Sequence, residues 1–254
     1  MPTDVRAAIR AGQSTLGSFI SVPSPHLVEM AAHAGFDFVV IDMEHGSIGI
    51  GEAESLVRAA QAAGITSVVR IAENRSRLIG QALDAGADGV LVPHVECAAE
   101  ALAVVAAARF EPEGSRGLGL SVRAARYGTL GRERFLAHAP FLSVQIESVG
   151  AVERIAEIAA VPGIDLLFVG PSDLSASLGH PGEPEHSEVQ AAIEGVKAAA
   201  LAHGVPLGIF AGSASSSVEW VDRGFPFVLT GSTGIIQGAL TGYVREFRSR
   251  RGLG

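Results

Sequence analysis

An α/β fold of the (β/α)8, or TIM, barrel type is predicted by three observations. Eight short apolar or β-branched runs recur along 254 residues, and Ala-rich segments with near-helical apolar spacing lie between them. Junctions such as AHAGFDFVVID, DAGADGVLVP and AHGVPLGIF place glycine just past the helix, where a left-handed C-cap is needed. The strands are expected at 15–22, 36–42, 66–71, 89–93, 141–147, 165–169, 206–210 and 226–230. Helices are expected at 25–34, 51–63, 76–85, 98–109, 151–160 and 187–203. Eight strands with crossover helices in this length favour a closed barrel over an open doubly wound sheet, and neither GxGxxG at a first βα turn nor GxxxxGK[ST] occurs. A single domain spanning 1–254 holds all of this. Its two irregular parts are a long Gly- and Arg-rich connection at 110–140, suited to an interface or active-site loop, and a tail, GYVREFRSRR, that reads as a last helix.

Composition narrows the chemistry. A net charge of −8 with no basic run argues against nucleic acid or an anionic membrane as partner. The single cysteine, Cys97, excludes an internal disulfide and suits a reducing compartment. The opening MPTDVRAAIRAG lacks the apolar core of a signal peptide, and no stretch is long and apolar enough to span a bilayer, so a cytoplasmic location is expected. Lys197 is the only lysine and falls in the helix before strand seven. Schiff-base chemistry needs a lysine at a strand end inside the barrel, so metal-assisted chemistry is expected instead.

Barrel active sites form at the C-terminal ends of the strands. The polar residues there are Asp42, Glu44 and His45 after strand two, Arg70 in strand three, Gln145 and Glu147 at strand five, and Ser172 and Asp173 after strand six. Glu147 and Asp173 end consecutive strands, which lie about 5 Å apart. They are expected to face each other, and two such carboxylates repel unless a cation sits between them. Oxygen donors without a His or Cys cluster point to a hard divalent ion. The purely structural alternative pairs Glu147 with an arginine and makes Asp173 a helix cap. Arg70 in TSVVRIAEN needs an anionic partner and is suited to holding an oxyanion. His45, in DMEHG, is either a proton carrier or an ordinary surface histidine. AGSAS at 211–215 and TGSTG at 230–234 offer a rival, weaker signal for a phosphate site.

These motifs, DFVVIDMEHG, VVRIAEN, QALDAGADGVLVPHVECAAEA, GSRGLG, VQIES and DLLFVGPSDLSASLG, together resemble the metal-dependent (class II) pyruvate aldolases of the HpcH/HpaI aldolase/citrate lyase family, over roughly residues 15–240. The resemblance implies retro-aldol cleavage of a 4-hydroxy-2-oxo acid to pyruvate and an aldehyde, with Mg²⁺, Mn²⁺ or Co²⁺. It makes Glu147 and Asp173 the metal ligands, His45 the proton carrier with Asp84 as its partner, and Arg70 the oxyanion residue. It further implies that Gln145 contacts the pyruvate unit and that the amides of Ser172 and Asp173 receive its carboxylate. Asp42 and Glu44 are expected behind the metal site, as acceptors for metal-bound water. A homo-oligomer, a hexamer by the same analogy, is expected. Asp84 ends the helix after strand three, on the opposite rim from its own His45, so it is expected to reach the His45 of a neighbouring subunit. The family's type member, 4-hydroxy-2-oxoheptanedioate aldolase, has a small residue before its Glu-His pair and Ala-Pro after it. This chain has Met43 before the pair and Gly46-Ser47-Ile48 after it, which leaves the aldehyde half of the substrate open. An acyl-CoA lyase of the same family and a barrel that binds keto acids without turnover are the other readings.

Overall fold

The computed structural model describes residues 3–252, and the four terminal residues of the expected 1–254 domain lie outside them. In chain order the elements are α1 (Val5–Arg10), β1 (Thr15–Ile20), α2 (Pro25–Ala34), β2 (Phe38–Asp42), α3 (Ile50–Ala63), β3 (Thr66–Arg70), α4 (Ser76–Asp84), β4 (Gly89–Val92) and α5 (Ala98–Ala108). A 3₁₀ turn (Arg123–Gly128) and α6 (Arg132–Leu136) follow, then β5 (Phe141–Ile146), α7 (Val149–Glu153), α8 (Ile155–Ala159), β6 (Leu166–Val169) and α9 (Pro171–Ser177). The chain ends with α10 (Ser187–His203), β7 (Leu207–Phe210), α11 (Ala214–Asp222), β8 (Phe227–Gly231) and α12 (Ser232–Arg250). All eight strands are parallel and close in sequence order, β8 pairing with β1, so the fold is a (β/α)8 barrel.

Side chains alternate across each strand, which splits the apolar residues into two layers. Phe19, Phe38, Val40, Val68, Leu91, Phe141, Leu166, Phe168, Phe227 and Leu229 fill the barrel, while Val39, Ile41, Val69, Val90, Val144 and Val169 face the helices. The same parity turns Asp42, two residues after Val40, and Arg70, two after Val68, inward at the upper mouth. Inward glycines make room for the aromatic filling. A Cβ on Gly17 would penetrate the Phe38 ring, which stacks on Phe227 with centroids 4.2 Å apart. Gly17→Ala is therefore expected to overpack the barrel and cost about 1–3 kcal/mol, read as a lower urea midpoint at unchanged slope.

At the lower end α1 closes the barrel. Val5 and Ile9 join the interior cluster, and Arg6 and Arg10 reach the buried Asp165 at 2.7 and 2.9 Å. The expected helix over 151–160 is instead α7 and α8, broken at Arg154, whose φ of −107° and ψ of 16° leave the helical region. The last helix is longer than the tail alone suggests and starts within TGSTG. Among the described residues no helix is long and apolar enough to cross a membrane.

Candidate active site

Asp42 and Arg70 are direct register partners at the tops of β2 and β3. The guanidinium meets the carboxylate with two atoms, Nε to Oδ1 at 2.9 Å and Nη2 to Oδ2 at 2.8 Å, and Nη1 lies 2.9 Å from Glu44 Oε2. Its face rests 4.4 Å from the Phe19 ring centroid. Arg70 is thus buried against two carboxylates and an aromatic face, which fixes a planar cation at the mouth. Asp42 also accepts the backbone N–H groups of Glu44 and His45 at 3.1 and 3.2 Å, folding the loop after β2 back over the strand end and setting His45 at the opening.

Burial alone would raise the Asp42 carboxyl. The Arg70 hydrogen bond and charge, with the amides of His45 and Glu44, outweigh burial and hold it below its ordinary value of 3.8. A lowered folded-state value stabilises the fold above the unfolded value and is lost as pH falls through the folded one. Wild type is therefore expected to lose stability more steeply than Asp42→Asn as pH drops below 3.8, measured by urea unfolding across the acid range.

Across the mouth stands a second group, Glu44, His94 and Glu147, in which one ligand atom from each residue lies within 4.8 Å of the others. His94 Nε2 is 3.1 Å from Glu44 Oε1, its Nδ1 is 3.1 Å from Glu147 Oε1, and its backbone N–H donates to that same oxygen at 2.8 Å. The backbone at His94 takes a φ of +56°, a left-handed conformation costing a non-glycine residue about 1–3 kcal/mol, and this turn aims both amide and ring at Glu147. Gln145 Nε2 donates to Glu147 Oε2. Burial raises the Glu44 carboxyl, and repulsion from Glu147 keeps it above its ordinary value although Arg70, His45 and His94 pull it down.

The donor set fits a divalent cation. Among the described residues the buried Glu44 Oε2 and Gln145 Oε1 have no aligned hydrogen-bond partner, the Arg70 approach to Glu44 being close but off axis. Glu147 and Glu44 supply hard oxygens, and His94 supplies one nitrogen. A Cβ on Gly170 would touch Gln145 Nε2 and Glu147 Oε2 at 3.4 Å, so the turn from β6 into α9 lies directly against these side chains.

A cavity of about 290 Å³ opens beside this group. Asp42, His45, Arg70, Gln145, Ser172 and Asp173 form its polar wall, and Phe19, Phe168 and Phe210 its apolar one. Every expected mouth residue except Glu44 and Glu147 lines it, and those two stand at its edge in the carboxylate–imidazole group. Ser172 and Asp173, in the first turn of α9 where backbone N–H groups have no partner within the helix, both line this cavity. Of the serines in the two loops expected as a rival phosphate signal, Ser213 caps α11, accepting from Ser216 N–H at 3.1 Å, and Ser232 donates to Phe19 O at 2.7 Å.

Asp84 stands apart from these residues. It ends α4 at the lower rim and pairs with Arg116 Nη2 at 2.7 Å, while Arg123 donates to Ala85 O at 2.7 Å. The 110–140 connection is thereby pinned across the ends of α3 and α4. It walls a larger cavity, about 890 Å³, lined by Arg58, Arg116, Arg123, Arg126 and Arg134. Size does not mark the site here: the converging carboxylates, imidazoles and guanidinium are at the smaller opening.

Sequence reasoning missed His94. The histidine directly after VLVP was a readable signal, because it follows a strand end as His45 does, but the inward turn of its ring depends on the left-handed backbone. Phe19, which stacks on Arg70, was hidden for a different reason, since an apolar residue in a barrel strand carries no functional mark.

The family model described as HpcH/HpaI aldolase/citrate lyase matches residues 15–237. The chain is 36% identical over 225 residues to the 2-dehydro-3,6-dideoxy-6-sulfogluconate aldolase of Pseudomonas putida, covering 88% of each chain. It is 42% identical over 205 residues to the hydroxypyruvate/pyruvate aldolase of Sagittula stellata, covering 80% of this chain and 81% of that one. Among solved structures, an HpcH/HpaI aldolase/citrate lyase family protein from Burkholderia cenocepacia superimposes with a TM-score of 0.92 at 35% identity, over 96% of this chain and 98% of the other. A matching sequence and a matching barrel place this chain in the HpcH/HpaI aldolase/citrate lyase family.

Proposed function

We propose that the chain is a metal-dependent lyase that reversibly cleaves a 4-hydroxy-2-oxo acid to pyruvate and an aldehyde. The observation that carries this reading is the fixed guanidinium of Arg70 facing the same opening as the carboxylate–imidazole group. The aldolase names of the relatives support it.

Glu147 and Asp173 are the proposed holders of Mg²⁺, Mn²⁺ or Co²⁺, with Glu44 and His94 adjoining. A bound divalent ion supplies Lewis acidity at the 2-oxo group. Gln145 contacts the pyruvate unit, and the amides of Ser172 and Asp173 receive its carboxylate. His45 takes the C4 hydroxyl proton as the C3–C4 bond breaks and the aldehyde leaves. The C3–C4 bonding electrons become the C2=C3 double bond and the carbonyl pair moves onto the C2 oxygen, where Arg70 faces the developing charge. Return of that proton from His45 through solvent to C3 of the resulting pyruvate enolate completes the cleavage and restores the imidazole. Asp42 acts through Arg70, holding its plane.

The active unit is proposed to be a homo-oligomer, a hexamer by family resemblance. Support comes from α12, which has no buried residue and exposes Ile235, Leu240, Tyr243, Val244 and Phe247. Asp84 is proposed to orient the partner subunit's His45 across such an interface, exchanging its present Arg116 contact. The small mouth, whose one arginine is already paired, does not favour an acyl-CoA substrate.

The test is a coupled pyruvate-release assay on a panel of 4-hydroxy-2-oxo acids that differ in the aldehyde half. Pyruvate from at least one member is the expected result. A folded oligomer that releases none, yet binds pyruvate, would return the chain to the non-catalytic reading.

A further inference from the structure

Away from the mouth, a second group of side chains carries metal-ligand chemistry. His180 lies in the loop after α9, His186 is the residue capping α10, and Glu188 stands in the first turn of that helix. The two imidazole rings stack with centroids 3.5 Å apart and 19° between their planes. His180 Nε2 lies 3.0 Å from Glu188 Oε2, and one ligand atom from each of the three residues falls within 4.8 Å of the others.

The loop that presents these donors is already ordered. His180 N–H donates to Ser175 O at 2.8 Å, and the N–H groups of Glu183 and His186 continue the chain of turns to His180 O and Glu183 O, each at 3.0 Å. Gln190 Nε2 ties Pro184 O to α10 at 2.9 Å. Gly179 and Gly182 take the left-handed angles the turns require, with φ of 84° and 83°. An ion binding here does not have to order the loop, which removes a main cost of association.

We infer that His180, His186 and Glu188 form a surface site for a borderline divalent cation, Zn²⁺ or its neighbours Ni²⁺ and Cu²⁺, separate from the oxygen-rich mouth. Two nitrogens and one carboxylate are the donor set such ions prefer over Mg²⁺, and three protein ligands leave a fourth position for water. The ion takes the seat of the proton between His180 Nε2 and Glu188 Oε2, and that proton passes to solvent. His186 Nδ1 gives up a long hydrogen bond from Glu188 N–H, 3.3 Å, to reach the ion. The positive end of α10 opposes a cation, and the Glu188 carboxylate in the first turn offsets it. Occupancy clips the loop of 178–186 to the start of α10. It thereby braces α9, whose opposite end presents Ser172 and Asp173 at the mouth.

The experiment compares wild type with His180→Asn/His186→Asn. Asparagine is a strong N-cap, so the start of α10 is retained. Both proteins are stripped with chelator, dialysed against Zn²⁺ with excess Mg²⁺, and measured for bound zinc and thermal midpoint. Wild type is expected to hold one more zinc per chain than the variant and to gain more in midpoint on zinc addition, while the variant keeps Mg²⁺-supported pyruvate release. Equal zinc content with an equal thermal response overturns the assignment. Glu188→Gln, an exposed change that leaves the loop intact, gives an independent reading. Zinc bound about tenfold more weakly supports the site, and unchanged zinc affinity contradicts it.

Discussion

Glu147→Gln is expected to lower kcat by at least about a thousandfold while leaving the barrel folded, since a divalent ion's charge stabilisation of several kcal/mol goes with its ligand. The carboxylate of Glu147 accepts the His94 amide at 2.8 Å and the Gln145 amide, and faces His94 Nδ1 at 3.1 Å. Glutamine keeps the shape but presents an amide nitrogen where one of these donors points, and it removes the charge that a cation needs. The same change relieves repulsion on Glu44, so the fold is not expected to suffer. Two readouts separate the effects: metal affinity by titration with Mn²⁺, and the urea midpoint. A variant that binds Mn²⁺ as wild type does and turns over normally would remove Glu147 from the ligand set.

Arg70 carries the second large effect, and it is felt in both stability and rate. Removing one partner from a buried ion pair leaves the others as uncompensated charges, at a cost of about 3–5 kcal/mol. Arg70→Ala strands Asp42 and Glu44, both almost fully buried, and empties the space over Phe19. A loss of that size is expected in urea unfolding. Arg70→Lys keeps a charge but cannot bridge Asp42 with two parallel bonds while also meeting Glu44. Its kcat is expected to fall by about a hundredfold or more, the scale seen when one preorganised oxyanion donor is lost. Wild-type rates in Arg70→Lys would show that the guanidinium only holds the mouth together.

Much of this arrangement was legible from residue order. Period-two alternation in DFVVID and TSVVR places Asp42 and Arg70 on the same inward face as Val40 and Val68, and the structure pairs them in register. The expectation that a strand arginine needs an anionic partner is met twice over, by Asp42 and Glu44. What stayed hidden depends on backbone angles and distant contacts. VRAAIR is too short to declare itself a helix, and what holds it, Asp165 and the barrel interior that receives Val5 and Ile9, lies far along the chain. The break at Arg154 carries no proline or glycine to announce it. In the 110–140 connection, Arg126 and Tyr127 both adopt left-handed angles, φ 50° and 54°, and the arginines that pin it act on the ends of α3 and α4 rather than on sequence neighbours.

Glu147 and Asp173 illustrate the same limit at the site itself. Strand order brings β5 and β6 together, and the turn at Gly170 lies against Glu147. Side chains then divide the region into the Glu44–His94–Glu147 group and a cavity wall that includes Asp173. Adjacency of strand ends was readable. The partition of ligand atoms between the two was not, because it turns on the conformation of His94 after β4.

The central claim, that this mouth performs metal-dependent aldol cleavage, is tested most directly by chelating the enzyme and restoring Mg²⁺, Mn²⁺ or Co²⁺ singly while following pyruvate release. Negligible release is expected from the chelated enzyme, with recovery on addition of an ion and no recovery in Glu147→Gln with any of the three. Undiminished release from fully chelated enzyme, or full recovery in the variant, would contradict it.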